Sequence, residues 1–340
     1  MKHTLLRPTS LGAALAAAGV LLFGASHLRA QAQVSVLPVQ GRVSLMTAGD
    51  ANVTVQVGRS GVVLVDTPPA DLAPQVITEI RKLSARPIRH IVQTSASSDR
   101  IGGTVALLGP AGARGLALGA GLFGFGATGA SRPNVAAQDN VLNRLSATTP
   151  AVAPGLLPTM TDFLPTLDLF NDEAIVLYHV PAAHSDGDSI VFFRRSDVIS
   201  TGNIYTPGRY PVIDTTRGGS VNGLIAALGR VLELAVPEAF EEGGTKIIPG
   251  RGRVGEETDV AEFRDMVSII RDRVQDAVTK NQTLDQIKAS KPSRDYDAEY
   301  RATPADADRL IESIFKTLPA PPPTAPAARP GSARPTGGRS

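Results

Sequence analysis

Thr94-Ser95-Ala96-Ser97-Ser98-Asp99-Arg100-Ile101-Gly102-Gly103 follows the apolar run Ile88 to Gln93 and precedes a short helical pattern from Thr104 to Leu108. A strand that ends in a polar loop with paired glycines and then enters a helix is the building unit of α/β sheets. The side chains of such loops converge outside the carboxyl ends of the strands. Chemistry is therefore expected in this loop, and the elements around it set the kind of sheet that presents it.

Upstream, Val43 to Met46, Asn52 to Val57 and Val62 to Asp66 read as strands, the last two joined as a hairpin by Gly58-Arg59-Ser60-Gly61. Asp71 reads as the cap of a helix whose apolar residues Leu72, Val76, Ile77, Ile80 and Leu83 recur at helical spacing. Downstream, residues 109–131 form a Gly/Ala-rich insertion around Leu122, Phe123 and Phe125, and Asn134 to Leu145 reads as a helix. The second half repeats the layout of the first. Strands are expected at Ala174 to Val180, Ser189 to Phe193 and Val198 to Ser200, then a helix from Val221 to Leu234 capped by Ser220, with Leu224, Ile225, Leu228, Val231 and Leu232 on one face. A last short strand covers Thr245 to Ile248. A long helix from Thr258 to about Lys280 buries Val260, Phe263, Met266, Val267, Ile270, Val274 and Val278, and shorter helices run from Leu284 to Ala289 and from Ala305 to Leu318. Two strand-helix halves of this kind fit an α/β sandwich of two sheets with helices outside.

Residues 1–32 read as a signal peptide: Lys2 and Arg7 precede an apolar run from Leu11 to Ala25, and Ala30-Gln31-Ala32 offers a small-x-small cleavage site. The run is shorter than the about 20 residues that span a bilayer, so an exported periplasmic or extracellular protein with no integral span after processing is expected. The chain has no Cys, which excludes a lipid-modified cysteine anchor, disulfides and thiolate metal sites. Removing Lys2, Arg7 and Arg29 takes the formal charge of +2 to −1. Setting aside Arg329, Arg334 and Arg339 of the tail takes the folded part to −4, so the basic pI is no nucleic-acid footprint. Residues 33–318 are expected to form one domain. Residues 319–340, rich in Pro and Ala, read as a disordered tail suited to cell-envelope contact.

The organising loop resembles the metal-binding loop of the metallo-β-lactamase superfamily, whose pattern is Thr-His-x-His-x-Asp-His-x-Gly-Gly. Thr94, Asp99, Gly102 and Gly103 keep that frame, while Ser95, Ser97 and Arg100 stand where the three histidines belong. The resemblance runs on in order. Val65-Asp66-Thr67 is similar to the segment that ends the family's hairpin, and Pro181-Ala182-Ala183-His184 keeps the third metal-binding histidine as His184. Ser200-Thr201-Gly202-Asn203 has Asn203 for the bridging carboxylate, and Ile248-Pro249-Gly250-Arg251-Gly252 has Arg251 for the last histidine. The resemblance implies a four-layer αββα sandwich with a degenerate zinc site, in which five of seven ligand positions are substituted and only Asp99 and His184 remain.

Zinc needs three or four N, O or S donors, with one position open for a catalytic water. By the family's assignment, one metal would have Ser95, Ser97 and His184, and the other Asp99, Arg100 and Arg251. Arginine has no acceptor and cannot ligate. It also repels a dication about 5 Å away by about 7 kcal/mol at an effective dielectric of 20. The expectation is thus a non-hydrolytic pseudoenzyme without a metal or other cofactor. Arg100, Arg251, His184, Ser95 and Ser97 would bind a small carboxylate or phosphate, or a partner, with Asp99 pairing to one arginine. The alternative is an active hydrolase of lactam, thioester or phosphoester bonds with an atypical zinc site, or with a serine nucleophile near His184, for which no Gly-x-Ser-x-Gly elbow is present. Asp99 is equally suited to capping the helix start at Gly102-Gly103, and His90 and His179 read as packing residues. His3 and His27 leave with the signal peptide.

Overall fold

A tight turn needs a residue that accepts positive φ, and Gly41 and Gly49 supply it at φ 57° and 64°. They let β1 (Val34–Gln40), β2 (Val43–Ala48) and β3 (Ala51–Gly58) fold back on one another as antiparallel neighbours, with β4 (Gly61–Val65) closing the run. The chain then passes through α1 (Ala73–Leu83) and returns as β5 (Ile88–Gln93), parallel to β4, because a parallel partner requires a crossover. After α2 (Ser98–Ile101) and α3 (Thr104–Leu107), β6 (Asn134–Ala137) adds a second parallel strand beside β5 and leads into α4 (Asp139–Ser146).

The second sheet has the order β11-β10-β9-β8-β7, with β7 (Leu167–Phe170), β8 (Glu173–His179), β9 (Ser189–Phe193) and β10 (Val198–Ser200) antiparallel in turn. Its last strand, β11 (Lys246–Ile248), is parallel to β10 and is reached through α5 (Val221–Leu234). Helices α6 (Glu257–Thr279), α7 (Leu284–Ser290) and α8 (Pro304–Thr317) follow. This computed structural model describes residues 34–109, 132–161, 167–240 and 243–318. The expected signal peptide, nearly all of the glycine-rich insertion and the Pro/Ala-rich tail lie outside these residues.

Strand alternation sends one side chain in two to each face, and both sheets bury apolar side chains on both faces, with Asn52, Thr54 and Gln56 of β3 as buried polar exceptions. Between the sheets, Val43, Val63, Val65 and Val92 meet Ile175, Leu177, Val191, Phe193 and Ile248. Behind the second sheet, Ile190, Ile199 and Ile247 are covered by Leu224, Leu228 and Val231 of α5, by Val260, Phe263, Val267 and Ile270 of α6, and by Leu310 and Ile314 of α8. The outer residues of the first sheet, Met46, Val55, Leu64 and Ile91, are just as buried, and α1 contributes Ala73, Val76 and Ile80 while packing with β1 and α3. Each such side chain contributes about 1.5–3 kcal/mol on leaving water, so the four layers hold one another in place. The architecture is the expected α/β sandwich.

Several local expectations need correction. Asn134–Ala137 is a strand, not the start of a helix. Its backbone pairs with β5, and Val135 and Ala137 also bond Thr159 and Met160. The helix begins only at Asp139, after Gln138 accepts from Asn140 N. Asp71 does not cap α1, whose cap position is Leu72 and makes no side-chain bond. Strands β1 and β7 were not expected. Ser220 does cap α5, with its Oγ accepting from Gly223 N.

Candidate functional site

Because β4 and β5 are parallel neighbours, their carboxyl ends lie side by side, and Asp66 and Thr94 follow directly from them. Asp66, held at φ 61°, accepts from Thr94 N at 2.8 Å and from Thr94 Oγ1 at 2.8 and 2.9 Å. Thr67 donates through its amide (2.8 Å) and hydroxyl (3.2 Å) to the carbonyl of Arg100, and its hydroxyl accepts from Gly103 N at 3.1 Å. The end of one strand thus braces the loop that leaves the next.

Arg100 points inward and has no exposed surface. Its Nη1 donates to the Gly250 carbonyl at 2.6 Å and lies 3.8 Å from Asp66 Oδ2, while Nη2 donates to Asp99 Oδ2 at 3.3 Å. Arg251 donates to the same Asp99 oxygen at 3.1 Å and pairs on its other side with Asp50, at the β2–β3 turn. Asn203 Nδ2 reaches Asp99 Oδ1 at 3.5 Å. Asp50 also takes Arg209 at 3.3 Å. The result is a chain of alternating charge, Asp66, Arg100, Asp99, Arg251 and Asp50, running from the buried end of β4 to the surface. Burial pushes the Asp99 carboxyl up, but Arg100, Arg251 and Asn203 outweigh it and hold the group below the usual range. For Asp66 burial wins over Arg100 and the Thr94 bonds, and its pKa stands at about 6.

The loops that carry these groups approach very closely. Gly250 N donates to Gly202 O at 2.7 Å, and a Cβ on Gly250 would run into the Arg100 guanidinium. A Cβ on Gly202, at φ 53°, would run into the Thr94 side chain. Asn52 of β3 ties the Gly250 loop down, with its Nδ2 donating to Pro249 O at 2.9 Å and to Gly252 O at 2.8 Å.

On the other side of the organising loop, Ser97 Oγ lies 2.9 Å from His184 Nε2, and His184 Nδ1 lies 2.7 Å from the Val212 carbonyl. A carbonyl only accepts, so Nδ1 carries a proton, and in the neutral ring Nε2 accepts from the Ser97 hydroxyl. Ser95 Oγ accepts from Ser97 N at 3.3 Å. Asp188 shapes the His184 loop by accepting from Ser185 N (2.6 Å) and Ser185 Oγ (3.0 Å). Burial raises its carboxyl to about 6 against the pull of His184 and these bonds.

All seven positions singled out from the sequence thus meet in two linked groups, Ser95, Ser97 and His184 in one and Asp99, Arg100, Asn203 and Arg251 in the other. The capping expectation for Asp99 fails: α2 has Ser97 at its cap position, α3 has Gly103, and the Asp99 carboxylate serves the arginines. His90 packs edge-on against Phe170 at 4.9 Å, as expected, whereas His179 is exposed and bonds Asp186 O through Nε2. Asp50, Asn52 and the pairing of Asp66 with Arg100 were missed. The signal for Asn52 was present, since Asn52, Thr54 and Gln56 are polar residues at alternate positions of an otherwise apolar strand, and all three are buried.

As a metal site this set does not fit. One imidazole with two hydroxyls, and one carboxylate already shared by two guanidinium groups, do not make the three or four donors that zinc requires. Among the described residues no group of three His, Asp or Glu side chains is placed to hold a metal ion.

No family model and no curated protein sequence matches the chain. Solved structures do. A metallo-β-lactamase from Pontibacter korlensis is 14% identical, with TM-score 0.52, over 69% of this chain and 99% of that one. The inverting sec-alkylsulfatase Pisa1 from Pseudomonas sp. is 16% identical, with TM-score 0.61, over 84% of this chain and 50% of that one. The DIM-1 metallo-β-lactamase is 13% identical, with TM-score 0.51, over 69% and 97%. At such identities the likeness speaks for the fold, and it agrees with the order of elements, the two stacked sheets and the loops at their carboxyl ends: the chain has the metallo-β-lactamase fold.

Proposed function

We propose that this protein is a non-hydrolytic member of its fold, a pseudoenzyme in which an internal ion-pair chain stands in place of the metal centre. The observation that carries the reading is Arg100, a guanidinium without exposed surface that is committed to Asp66, Asp99 and the Gly250 carbonyl. A buried cation so placed keeps a second, divalent cation away from Asp99 and gives no water a metal to be activated by. The composition of residues 1–32 supports export to the periplasm or beyond, and the Pro/Ala-rich tail supports envelope contact.

Small-anion binding narrows under this arrangement to Arg251, since solvent does not reach Arg100. An oxyanion there competes with Asp50 and Asp99, so affinity in the millimolar range, about −4 kcal/mol, is expected for phosphate, sulfate or citrate. The decisive experiment is metal analysis of the purified protein after dialysis, together with assays on β-lactam, thioester, phosphodiester and alkyl sulfate substrates. Well under one zinc per chain and no turnover are expected. Two tightly held zinc ions, or activity that vanishes in His184→Ala, would sink the proposal.

The alternative, a hydrolase without a metal, has one observation in its favour, the Ser97 hydroxyl donated to His184 Nε2 at 2.9 Å. Against it, both residues are over nine-tenths buried, and the imidazole is oriented by a carbonyl instead of a carboxylate. Labelling with a fluorophosphonate separates the two readings: a stoichiometric adduct on Ser97 favours the hydrolase, and no adduct favours the pseudoenzyme.

A further inference from the structure

The loops that carry Asn203 and Arg251 face the ion-pair chain on one side and a cavity of about 870 Å³ on the other, lined from Tyr205 to Val212, by Gly252 and Arg253, and by the starts of α6 and α8. Its aromatic groups are packed together: Tyr205 lies edge-on to Phe263 at 5.4 Å, and Tyr210 stacks on Tyr300 at 5.6 Å. Tyr210 spends its hydroxyl on Ser293 O at 3.0 Å and Asp297 at 2.7 Å. Tyr205 and Tyr300, only 1% and 6% exposed, line the cavity with hydroxyls that have no protein partner among the described residues. These hydroxyls open onto the cavity, where they are free to bond what enters it.

The lining carries four arginines and four carboxylates, most of them already paired. Arg253 is paired bidentately with Asp259 at 2.5 and 3.0 Å, Arg309 with Asp306 at 3.2 Å, and Arg209 with Asp50 at 3.3 Å. Left over are two carboxylates, Glu262 and Glu299, which have no partner among the described residues, and one cation at the rim, Arg301. Both glutamates bear on Tyr300, whose hydroxyl is pushed up to about 12 by burial first and then by these two charges. An anion entering here finds one unpaired cation against two unpaired carboxylates. A cation with N–H donors meets free carboxylates, acceptor hydroxyls and aromatic rings.

We infer that this cavity is a binding site for a small organic cation bearing an amine or guanidinium group, with Glu262 and Glu299 as counter-charges and the hydroxyls of Tyr205 and Tyr300 as acceptors. The inference is independent of the metal-free reading of the neighbouring ion-pair chain. The chain has five tyrosines and no tryptophan, and three of the five line the cavity, so intrinsic tyrosine emission reports on its occupancy. The test is a titration of the full chain with agmatine at constant ionic strength, with citrate as the anionic control. It is repeated on a Glu262→Gln, Glu299→Gln double variant, whose substituted side chains are exposed and whose folding is checked by circular dichroism. A saturable change with agmatine, none with citrate, and at least about tenfold weaker binding in the double variant are expected. No saturable response to agmatine, an equal response to citrate, or undiminished affinity in the double variant would overturn the site.

Discussion

A guanidinium with no exposed surface has lost its hydration, and the effective penalty of several kcal/mol is offset only by well-placed acceptors. Arg100 finds them in Asp99, the Gly250 carbonyl and, at 3.8 Å, Asp66. Removing the cation alone leaves its carboxylate partners uncompensated, so Arg100→Met is expected to lose about 3–5 kcal/mol in urea unfolding. Arg251 is 29% exposed and solvent screens its pairs, so Arg251→Ala should lose about 1 kcal/mol or less. Similar losses in both variants would show that Arg100 is not the hub of the cluster. The carboxyls make a separate prediction. Asp66 has a folded pKa of about 6 against an unfolded value near 3.8, so between these values the folded state holds a proton that the unfolded state has released. Stability therefore falls as pH rises through this window, and Asp188, raised for the same reason, acts in the same direction. Asp99, lowered by its arginines, contributes stability that is lost only as pH drops below the ordinary carboxyl range. The melting temperature should be a few degrees higher at pH 5 than at pH 7, and Asp66→Asn should flatten the difference. A melting temperature that climbs from pH 5 to pH 7 would contradict the raised carboxyls.

At the level of elements, the close approach of three loops depends on glycine at two crossings, and a pair of substitutions isolates that dependence. Gly202→Ala places a methyl group against Thr94 in a backbone conformation at φ 53° that alanine disfavours, and should cost about 2 kcal/mol or more. Gly229→Ala lies inside α5 with nothing within 4 Å of the added methyl, and should gain about 0.5–1 kcal/mol from helix propensity. Equal effects from the two changes would mean that chain entropy, not the crossing, sets the need for Gly202. The same local physics explains which elements the sequence revealed. Helix α6 was legible because Val260, Phe263, Val267, Ile270 and Val274 repeat at a spacing only a helix buries, and α5 because Ser220 marks its start. Strand β6 was not, since three apolar residues after Asn134 satisfy a helix or a buried strand equally, and pairing with β5 decides between them. Strands β1 and β7 are edge strands of their two sheets, each paired only with the strand that follows it, β2 and β8, and β1 buries none of its side chains fully, so no buried face marked it in the sequence.

For the whole molecule, the motifs that resemble metal loops were legible as positions, and the structure gathers their residues into two groups joined by the organising loop. What spacing could not reveal is how the substituted side chains pair: Arg100 turned inward to Asp66, Asp99 split between two arginines, and Ser97 donated to His184. That division into two groups makes the molecule testable as a whole. If the fold still positions its loops as the resemblance implies, then the Ser97 and His184 group lacks only two imidazoles, while the arginine group is closed to cations. A Ser95→His, Ser97→His double variant should therefore bind about one zinc per chain beside His184, where the parent binds none. Ser95 has no exposed surface and Ser97 only 8%, so two larger rings overfill the site and should cost the metal-free variant about 1–3 kcal/mol each. Zinc should return that stability in proportion to its binding, with about 2.7 kcal/mol recovered at a hundredfold excess over Kd, read as a zinc-dependent rise in melting temperature that the parent does not show. Leaving Arg100 and Arg251 in place holds the count at one, because Asp99 stays occupied by both arginines. A variant that takes up no zinc would mean that the loops, although near one another, no longer aim three side chains at a common point, and that the ion-pair chain has reshaped the site as well as filled it.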